Sequence, residues 1–350
     1  MNAINYADYI RKLKSVEISH RNYEDAKRAV YAHASLATPG SVIAFVGPTR
    51  GGKTTICHYL QSSLVKQCPS ENPDNMPLVV VEASNVRDGL FSMKHFTLRA
   101  LDAIRHPIFR DVGATDESKE YFPRVQLSET YLRIALEKGL LARHTLYLFV
   151  DEAAHLVMGR QSRRASEVLD SLKCLCNTTN VVLILIGGYA LLPNLFASPH
   201  LNGRMTVVSL KDYKNTRVDR EEFARLLVTI DSLMPLRNGA SLLEYEDALF
   251  AGSLGLCGLL IKWLEAAICA MAADDARYLN KRYLSGTRLE QQITVIQEEI
   301  AMGDALLAPH DVRGTSVPPA DGTQAKSSKK RTPAFRRKPT RDPVGPINPE

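Results

Sequence analysis

The sequence predicts an α/β protein with a parallel sheet flanked by helices, followed by a smaller helical region and a disordered tail. Three observations lead to this prediction. Apolar segments of strand length alternate with helical patterns up to residue 217. From about residue 218 to 303 the patterns are helical only, and residues 304–350 are basic and rich in proline. Strands that alternate with helices are typical of a parallel sheet.

The elements of the predicted core follow in order along the chain. Residues 1–37 have a helical pattern and form an N-terminal extension, which ends in the turn Thr38-Pro39-Gly40. The α/β core covers residues 38–217. Its second strand shows no polar alternation, which is typical of a strand buried on both faces. The predicted strands are residues 41–46, 78–82, 146–152, 181–186 and 205–210.

Two regions follow the core, a helical lid subdomain at residues 218–303 and a tail at residues 304–350. From residue 309 onward there are nine Lys or Arg and four Asp or Glu, so this segment carries +5 of the chain's net +6. It also holds eight of the 18 prolines. Such a composition cannot bury enough apolar surface to fold alone. The tail is either a solvated end or an arm that binds DNA or a partner protein.

A glycine-rich motif follows the first predicted strand and precedes a helical pattern. Residues 47–54 fit G-x-x-x-x-G-K-[ST], in which glycines let backbone N–H groups face the phosphates of a nucleotide. Lys53 can reach the β- and γ-phosphates, and the Thr54 hydroxyl can bind Mg²⁺. A chance turn is disfavoured by the flanking strand and helix. The predicted ATP site comprises Gly47, Pro48, Thr49, Arg50, Gly51, Gly52, Lys53, Thr54 and Thr55.

Two acids end the third predicted strand. Four apolar residues precede Asp151 and Glu152, which is typical of a Walker B motif. Asp151 is placed to hold Mg²⁺ through its water shell, and Glu152 to act as the general base for an attacking water. A glutamate at this point favours hydrolysis over transfer to a metabolite. His155 follows shortly, and we leave it outside the predicted catalytic set.

Several arginines and lysines invite a functional interpretation. Arg204 stands just before the fifth predicted strand, where it could reach the γ-phosphate of a neighbouring subunit, or be an ordinary surface residue. Basic residues are also frequent in the helices that follow the second strand. A basic face of this kind binds phosphate groups of DNA rather than bases, or is simply a solvated helix face. The candidate DNA contacts are Arg87, Lys94, Arg99 and Arg105.

Linked segments of the chain resemble AAA+ ATPases, and within them the TnsC/TniB regulators of DDE transposases. Residues 46–54 look like the VGPT-x-x-GK-[ST] loop of that family, and residues 150–156 like its acidic pair followed by a histidine. Residues 186–188 and 203–205 are similar to its strand–Gly–helix–Arg-Phe passage. Residues 210–213 resemble the Leu-x-x-aromatic that follows. The resemblance covers about residues 20–300, and only the combination of segments points to this family.

The resemblance implies an ATP-dependent assembly on DNA. Such proteins form rings or filaments of identical subunits around duplex DNA in their ATP form. They connect a TniQ-like target selector to a transposase, and hydrolysis releases the assembly. The region between the second strand and the Walker B motif supplies their DNA contacts, and Arg204 matches the position of their intersubunit arginine.

Two departures from the family pattern predict slow turnover. Gly188 stands where many AAA+ proteins have a polar sensor residue, and the segment Gly255 to Gly258 lacks the arginine of a second sensor. Two other functions stay open. One is an origin-binding or helicase-loading AAA+ ATPase, and the other is a monomeric P-loop kinase that acts on a small molecule.

The sequence also bears on location. Residues 1–14 are polar and predict no signal peptide. Residues 251–273 are apolar, but Lys262 and Glu265 interrupt them, so a buried helix is expected rather than a membrane span. Six cysteines without C-x-x-C spacing predict reduced side chains. We therefore expect a cytoplasmic protein.

Overall fold

The computed structural model describes residues 5–15, 18–69, 72–85, 91–109, 128–158, 162–198, 205–237 and 239–308. The described residues lie in one compact unit. The predicted contacts Arg87 and Arg204 lie outside the described residues, as does the tail from residue 309 onward.

The centre of the fold is a five-stranded sheet in which every neighbouring pair is parallel. Its order is β2-β3-β4-β1-β5, so β4 lies between β1 and β3. The α/β prediction is confirmed. The strands are β1 (Val42–Val46), β2 (Leu78–Glu82), β3 (Tyr147–Asp151), β4 (Val182–Gly187) and β5 (Met205–Ser209).

Burial follows the order of the strands. Every residue of β1 and β4 is buried, while β2 and β5, at the two edges, are only partly buried. The continuous apolar composition of the central strands has this cause, since helices cover both faces of a parallel sheet. Two hydrophobic clusters, one on each face, include alternate residues of β1, with Ala44 in one and Phe45 in the other.

Two helices precede the first strand, and the others lie between and after the strands. Side chains of Ser92, Ser128 and Thr216 cap three of them by accepting a backbone N–H of the first turn. Their bounds are α1 (Tyr6–Ser15), α2 (Arg21–Ser35), α3 (Lys53–Gln67), α4 (Met93–Ala103), α5 (Glu129–Ala142), α6 (Ser162–Thr179), α7 (Leu192–Ala197), α8 (Arg217–Asp231), α9 (Glu246–Ser253), α10 (Cys257–Ala273), α11 (Lys281–Gly286) and α12 (Glu290–Leu307).

The C-terminal helices have a hydrophobic cluster of their own, as the helical pattern predicts. Trp263 of α10 lies in it, and its indole N–H donates to the carbonyl of Leu284 at 2.9 Å. Leu13 and Ile18, from the N-terminal extension, belong to the same cluster, whereas Val30 of α2 packs with the sheet. The N-terminal extension therefore contacts both parts of the fold.

One observation concerns the end of the helical region. Helix α12 continues to Leu307, beyond residue 304 where the sequence places the start of the tail.

No single helix in the described ranges is long and apolar enough to cross a membrane. Among the described residues, one pair of helices, 242–253 and 257–273, meets the length and composition test when its two parts are taken together, and it is bent by 114°.

Candidate functional site

The loop between β1 and α3 has the backbone of a phosphate-binding loop. Gly52 has φ +102°, a conformation that L side chains rarely adopt, and Arg50 before it has φ +64°. Gly47 lies so close to Leu210, which follows β5, that a Cβ on Gly47 would stand 2.9 Å from Cβ of Leu210. The glycines at positions 47 and 52 are therefore needed for packing and for the curl of the loop.

Lys53 is held inside this curl. Its Nζ donates to the carbonyl oxygens of Gly47 at 2.9 Å and Pro48 at 2.8 Å. Burial lowers the pKa of Lys53, and the negative charges of Glu299, Glu152 and Asp151 oppose that shift. The ammonium thus lies within the field of three carboxylates at the end of the sheet.

Asp151 and Glu152 lie at the carboxyl end of β3, on the other side of β4 from the P-loop. Strand β4 lies between β3 and β1, and its end is next to the P-loop. Val46 pairs with Gly187, and the Gly47 N–H donates to the Gly187 carbonyl at 3.3 Å. The Glu152 N–H donates to the Asp151 carboxylate at 2.8 Å, and Glu152 has φ +50°. This left-handed residue turns the chain at the strand end and leaves Glu152 exposed.

One carboxylate at this site comes from a helix about 250 residues after the P-loop in the sequence. Glu299 of α12 accepts the backbone N–H of Thr49 at 2.9 Å. A Cβ on Gly188 would stand 2.7 Å from Oε1 of the same side chain. Glu299 therefore reaches the P-loop at the end of β4, beside the position where the family resemblance leads us to expect a polar sensor.

A cavity of about 340 Å³ adjoins the P-loop. Three parts of the chain enclose it: the N-terminal extension, the P-loop and the start of α10. Mixed polar and apolar walls of this size suit the purine base of a nucleotide whose phosphates meet the loop. Its lining includes Ile18, His20, Tyr23, Gly51, Gly258 and Ile261.

His20, a titratable residue of the cavity wall, has a shifted pKa. Burial is the main reason that its pKa is lowered to about 4; Glu24 opposes the shift, and Arg21 contributes to it more weakly. Its Nδ1 lies 3.1 Å from the hydroxyl of Tyr213. His20 is therefore neutral at physiological pH. The parts of the cavity wall that come from the N-terminal extension and from α10 were not predicted from the sequence, since neither region carries a motif.

The residues fit a nucleoside triphosphate with Mg²⁺. Thr54 is exposed at the start of α3, and Asp151 is half-buried at the end of β3, so both are at the carboxyl edge of the sheet. Mg²⁺ in such sites takes one or two protein ligands and completes its shell with water and phosphate oxygens. The described residues hold no group of three or more His, Cys, Asp or Glu that could bind a metal alone, and none is needed here.

Three of the candidate DNA contacts lie within the described residues, Lys94 and Arg99 in α4 and Arg105 just after its end. Lys94 and Arg105 are exposed near opposite ends of the helix. Arg99 is only partly exposed, because it donates to Ser84 Oγ at 2.7 Å and pairs with Glu82 at 3.3 Å. Lys94 and Arg105 are therefore better placed to meet a phosphate backbone than Arg99.

Comparison with known proteins agrees with this geometry. Residues 37–195 match the family model described as an AAA domain. No curated protein matches the chain in sequence. The Aeropyrum pernix ORC2 protein, solved in ADPNP–ADP complexes, is similar in structure, with 15% identity, a TM-score of 0.51, and coverage of 77% of this chain and 67% of that one.

Two further structures resemble the chain less closely. Drosophila ORC bound to DNA has 14% identity, a TM-score of 0.49, and coverage of 82% of this chain and 66% of that one. Cdc6p from Pyrobaculum aerophilum has 14% identity, a TM-score of 0.44, and coverage of 79% and 68%. The chain thus spans about two thirds of the length of these structures. With its sheet order, its P-loop and the match over residues 37–195, the chain has the AAA+ P-loop fold.

Proposed function

We propose that this protein binds ATP and hydrolyses it to ADP and phosphate. One observation carries the proposal: the P-loop and the pair Asp151–Glu152 meet at the same edge of the sheet, on either side of β4. In that arrangement a nucleotide held by the loop presents its γ-phosphate towards the two acids. The cavity beside Gly51 and Gly258 takes the base.

Each residue of the site has a role in this reaction. Backbone N–H groups of residues 49–53 and the Lys53 ammonium hold the phosphates. Glu152 accepts a proton from the water that attacks the γ-phosphate. A Mg²⁺ ion, when bound by Thr54 and Asp151, supplies positive charge that offsets the charge of the phosphates.

For the wider role, we propose an oligomeric, DNA-binding regulator of transposition. The support is the combination of sequence segments at residues 46–54, 150–156, 186–188, 203–205 and 210–213. In this proposal the ATP form assembles as a ring or filament on duplex DNA and connects a TniQ-like target selector to a transposase. Hydrolysis then releases the assembly. Gly188 in place of a polar sensor, and the segment Gly255 to Gly258 without a sensor arginine, favour a slow switch over a fast motor.

Arg204 is proposed to complete the site of a neighbouring subunit. Strand β5 begins at Met205, which pairs with Val42 at the start of β1. The P-loop follows the opposite end of β1, so Met205 and the P-loop of one subunit lie at opposite ends of the strands. An arginine that precedes Met205 in the chain is thus suited to act between subunits.

An origin-binding ATPase is the second candidate. The fold similarity to the Aeropyrum pernix ORC2 protein is the observation that favours it. A monomeric P-loop kinase is a third candidate from another class. It predicts phosphate transfer to a small molecule, with no oligomer and no dependence on DNA.

The first experiment measures nucleotide binding by calorimetry and phosphate release by a coupled assay. Lys53→Ala should abolish binding, whereas Lys66→Ala, an exposed lysine in the last turn of the same helix, should behave as wild type. Glu152→Gln should bind ATP but hydrolyse it about 10²-fold more slowly. Hydrolysis by Glu152→Gln at the wild-type rate would refute its role as the base.

The second experiment separates the three candidates. Electron microscopy is carried out with duplex DNA and a non-hydrolysable ATP analogue, for wild type and Glu152→Gln. Rings or filaments on DNA of any sequence, together with stimulation of a transposase, support the transposition regulator. Assembly only on particular origin sequences supports the second candidate. Absence of any ATP-dependent assembly overturns both and leaves the small-molecule kinase.

A further inference from the structure

Glu299 brings a negative charge from the C-terminal helix to the P-loop. It lies near the middle of α12, one turn before Gly303. Its carboxylate accepts the Thr49 N–H at 2.9 Å, an N–H of the loop that otherwise faces phosphate. A carboxylate at this N–H is in the place that a phosphate oxygen takes in a nucleotide complex.

The neighbours of Glu299 identify which phosphate is concerned. Gly188 follows β4, between the P-loop strand β1 and the strand of Asp151, and a Cβ on Gly188 would stand 2.7 Å from Glu299 Oε1. Of the three carboxylates that raise the pKa of Lys53, Glu299 has the largest effect. The β- and γ-phosphates meet Lys53, and the γ-phosphate also faces the Walker B acids. The carboxylate thus lies at the γ-phosphate end of the loop.

We propose that Glu299 competes with the γ-phosphate for the P-loop, so that binding of a nucleoside triphosphate displaces Glu299 and moves α12. The inference rests on the proposed nucleotide binding. Two anions cannot share the Thr49 N–H at close range without strong repulsion. A diphosphate ends one phosphate earlier and leaves Glu299 in contact with Thr49. Glu299 thereby lowers the affinity for ATP more than the affinity for ADP.

The packing of α12 converts this competition into movement of the helical region. In its middle part, Ile296 and Ile300 pack with Leu256 and Leu259 at the start of α10. Towards its end, Gly303 lies so close to Tyr189 that a Cβ would stand 2.3 Å from the ring. A shift of α12 at Glu299 therefore changes contacts with both the lid and the end of β4.

The test compares Glu299→Gln with Glu298→Gln. Glutamine keeps the length of the side chain and an oxygen acceptor for the Thr49 N–H, but it removes the charge. Glu298 is the exposed neighbour on the same helix and is the matched control. Calorimetry with a non-hydrolysable ATP analogue should show about tenfold tighter binding for Glu299→Gln, with ADP affinity changed less than about threefold. Glu298→Gln should match wild type for both nucleotides.

Gly188→Ala is an independent second variant. Gly188 has φ −75°, which alanine adopts freely, so the added methyl group acts only by crowding the Glu299 carboxylate. It should also tighten binding of the ATP analogue. Hydrogen exchange of residues 290–307 should rise when wild type binds the analogue and stay unchanged with ADP.

The outcomes separate the two proposals. Failure of wild type to bind any nucleotide overturns the proposed function. If wild type binds nucleotides normally, and Glu299→Gln binds the ATP analogue and ADP with the same affinities as wild type does, the competition alone is overturned. Unchanged exchange in residues 290–307 with the ATP analogue does so as well.

Discussion

Gly258 at the start of α10 lies directly against the carbonyl oxygen of Arg50 in the P-loop, and a Cβ on Gly258 would stand 2.1 Å from that oxygen. Helix α10 and the P-loop thus meet backbone to backbone. The contact explains a glycine where the family resemblance places a sensor region, because a side chain there has no room while the lid is in this position.

We predict that Gly258→Ala pushes the lid away from the P-loop. The clash is with backbone, which cannot rotate away as a side chain can, so the free energy of unfolding should fall by about 1–3 kcal/mol. Nucleotide affinity should fall roughly tenfold as the cavity opens. Urea unfolding and calorimetry measure the two effects. Gly286→Ala is the control, since a Cβ there meets no atom within 4 Å, and equal behaviour of the two variants would contradict the prediction.

His20 should make stability depend on pH. Its pKa is about 4 in the folded protein and 6.5 for a solvated histidine, so the unfolded chain binds more protons between these values. Stability is therefore lost as the pH falls below 6.5. At pH 5.5 the loss relative to pH 7.5 should be about 1.4 kcal/mol from this group.

Urea unfolding at several pH values measures this effect. His20→Gln can keep a polar contact with Tyr213 and should reduce the pH slope, whereas His33→Gln, at an exposed position of α2, should leave it unchanged. An unchanged slope in His20→Gln would assign the acid sensitivity to other groups.

Arg204 should act on the nucleotide of a neighbouring subunit. Arg204→Ala alone should lose at least 10²-fold in hydrolysis if it stabilises the transition state. Mixed with Lys53→Ala subunits, it should recover activity, because its intact P-loop then meets Arg204 of the other variant. The coupled phosphate assay on mixtures measures this, and mixtures no more active than their components would show that Arg204 has no such role.

DNA binding should depend on salt through Lys94 and Arg105. Each phosphate contact that is removed lowers the slope of log affinity against log salt by about 0.9. Lys94→Ala and Arg105→Ala should each show this reduction in fluorescence anisotropy titrations with duplex DNA. Arg99→Ala should show a smaller one, because Glu82 already pairs with Arg99. Lys66→Ala controls for net charge, and an equal drop there would argue against a defined surface.

The strands and the two motifs could be predicted because their signals are local. Val42–Val46 and Val182–Gly187 are apolar runs of strand length, and the glycines at 47 and 52 dictate the curl of the loop themselves. The cavity wall and the Glu299 contact could not be predicted. They join residues about 250 positions apart, and nothing in the sequence distinguishes Glu299 from Glu298.

The shared cluster of Leu13, Ile18 and Trp263 has a consequence for biosynthesis. Contacts between distant parts of a chain form late, and domains fold as units with the N-terminal part emerging first. The sheet and its P-loop can form before α10 has left the ribosome, but Leu13 and Ile18 then have no partner. The side chains of Leu13 and Ile18 therefore stay exposed until Trp263 has been synthesised. The cavity beside the P-loop is therefore completed only after α10 has been synthesised, and a chain that has not reached α10 has the P-loop without this wall of the cavity.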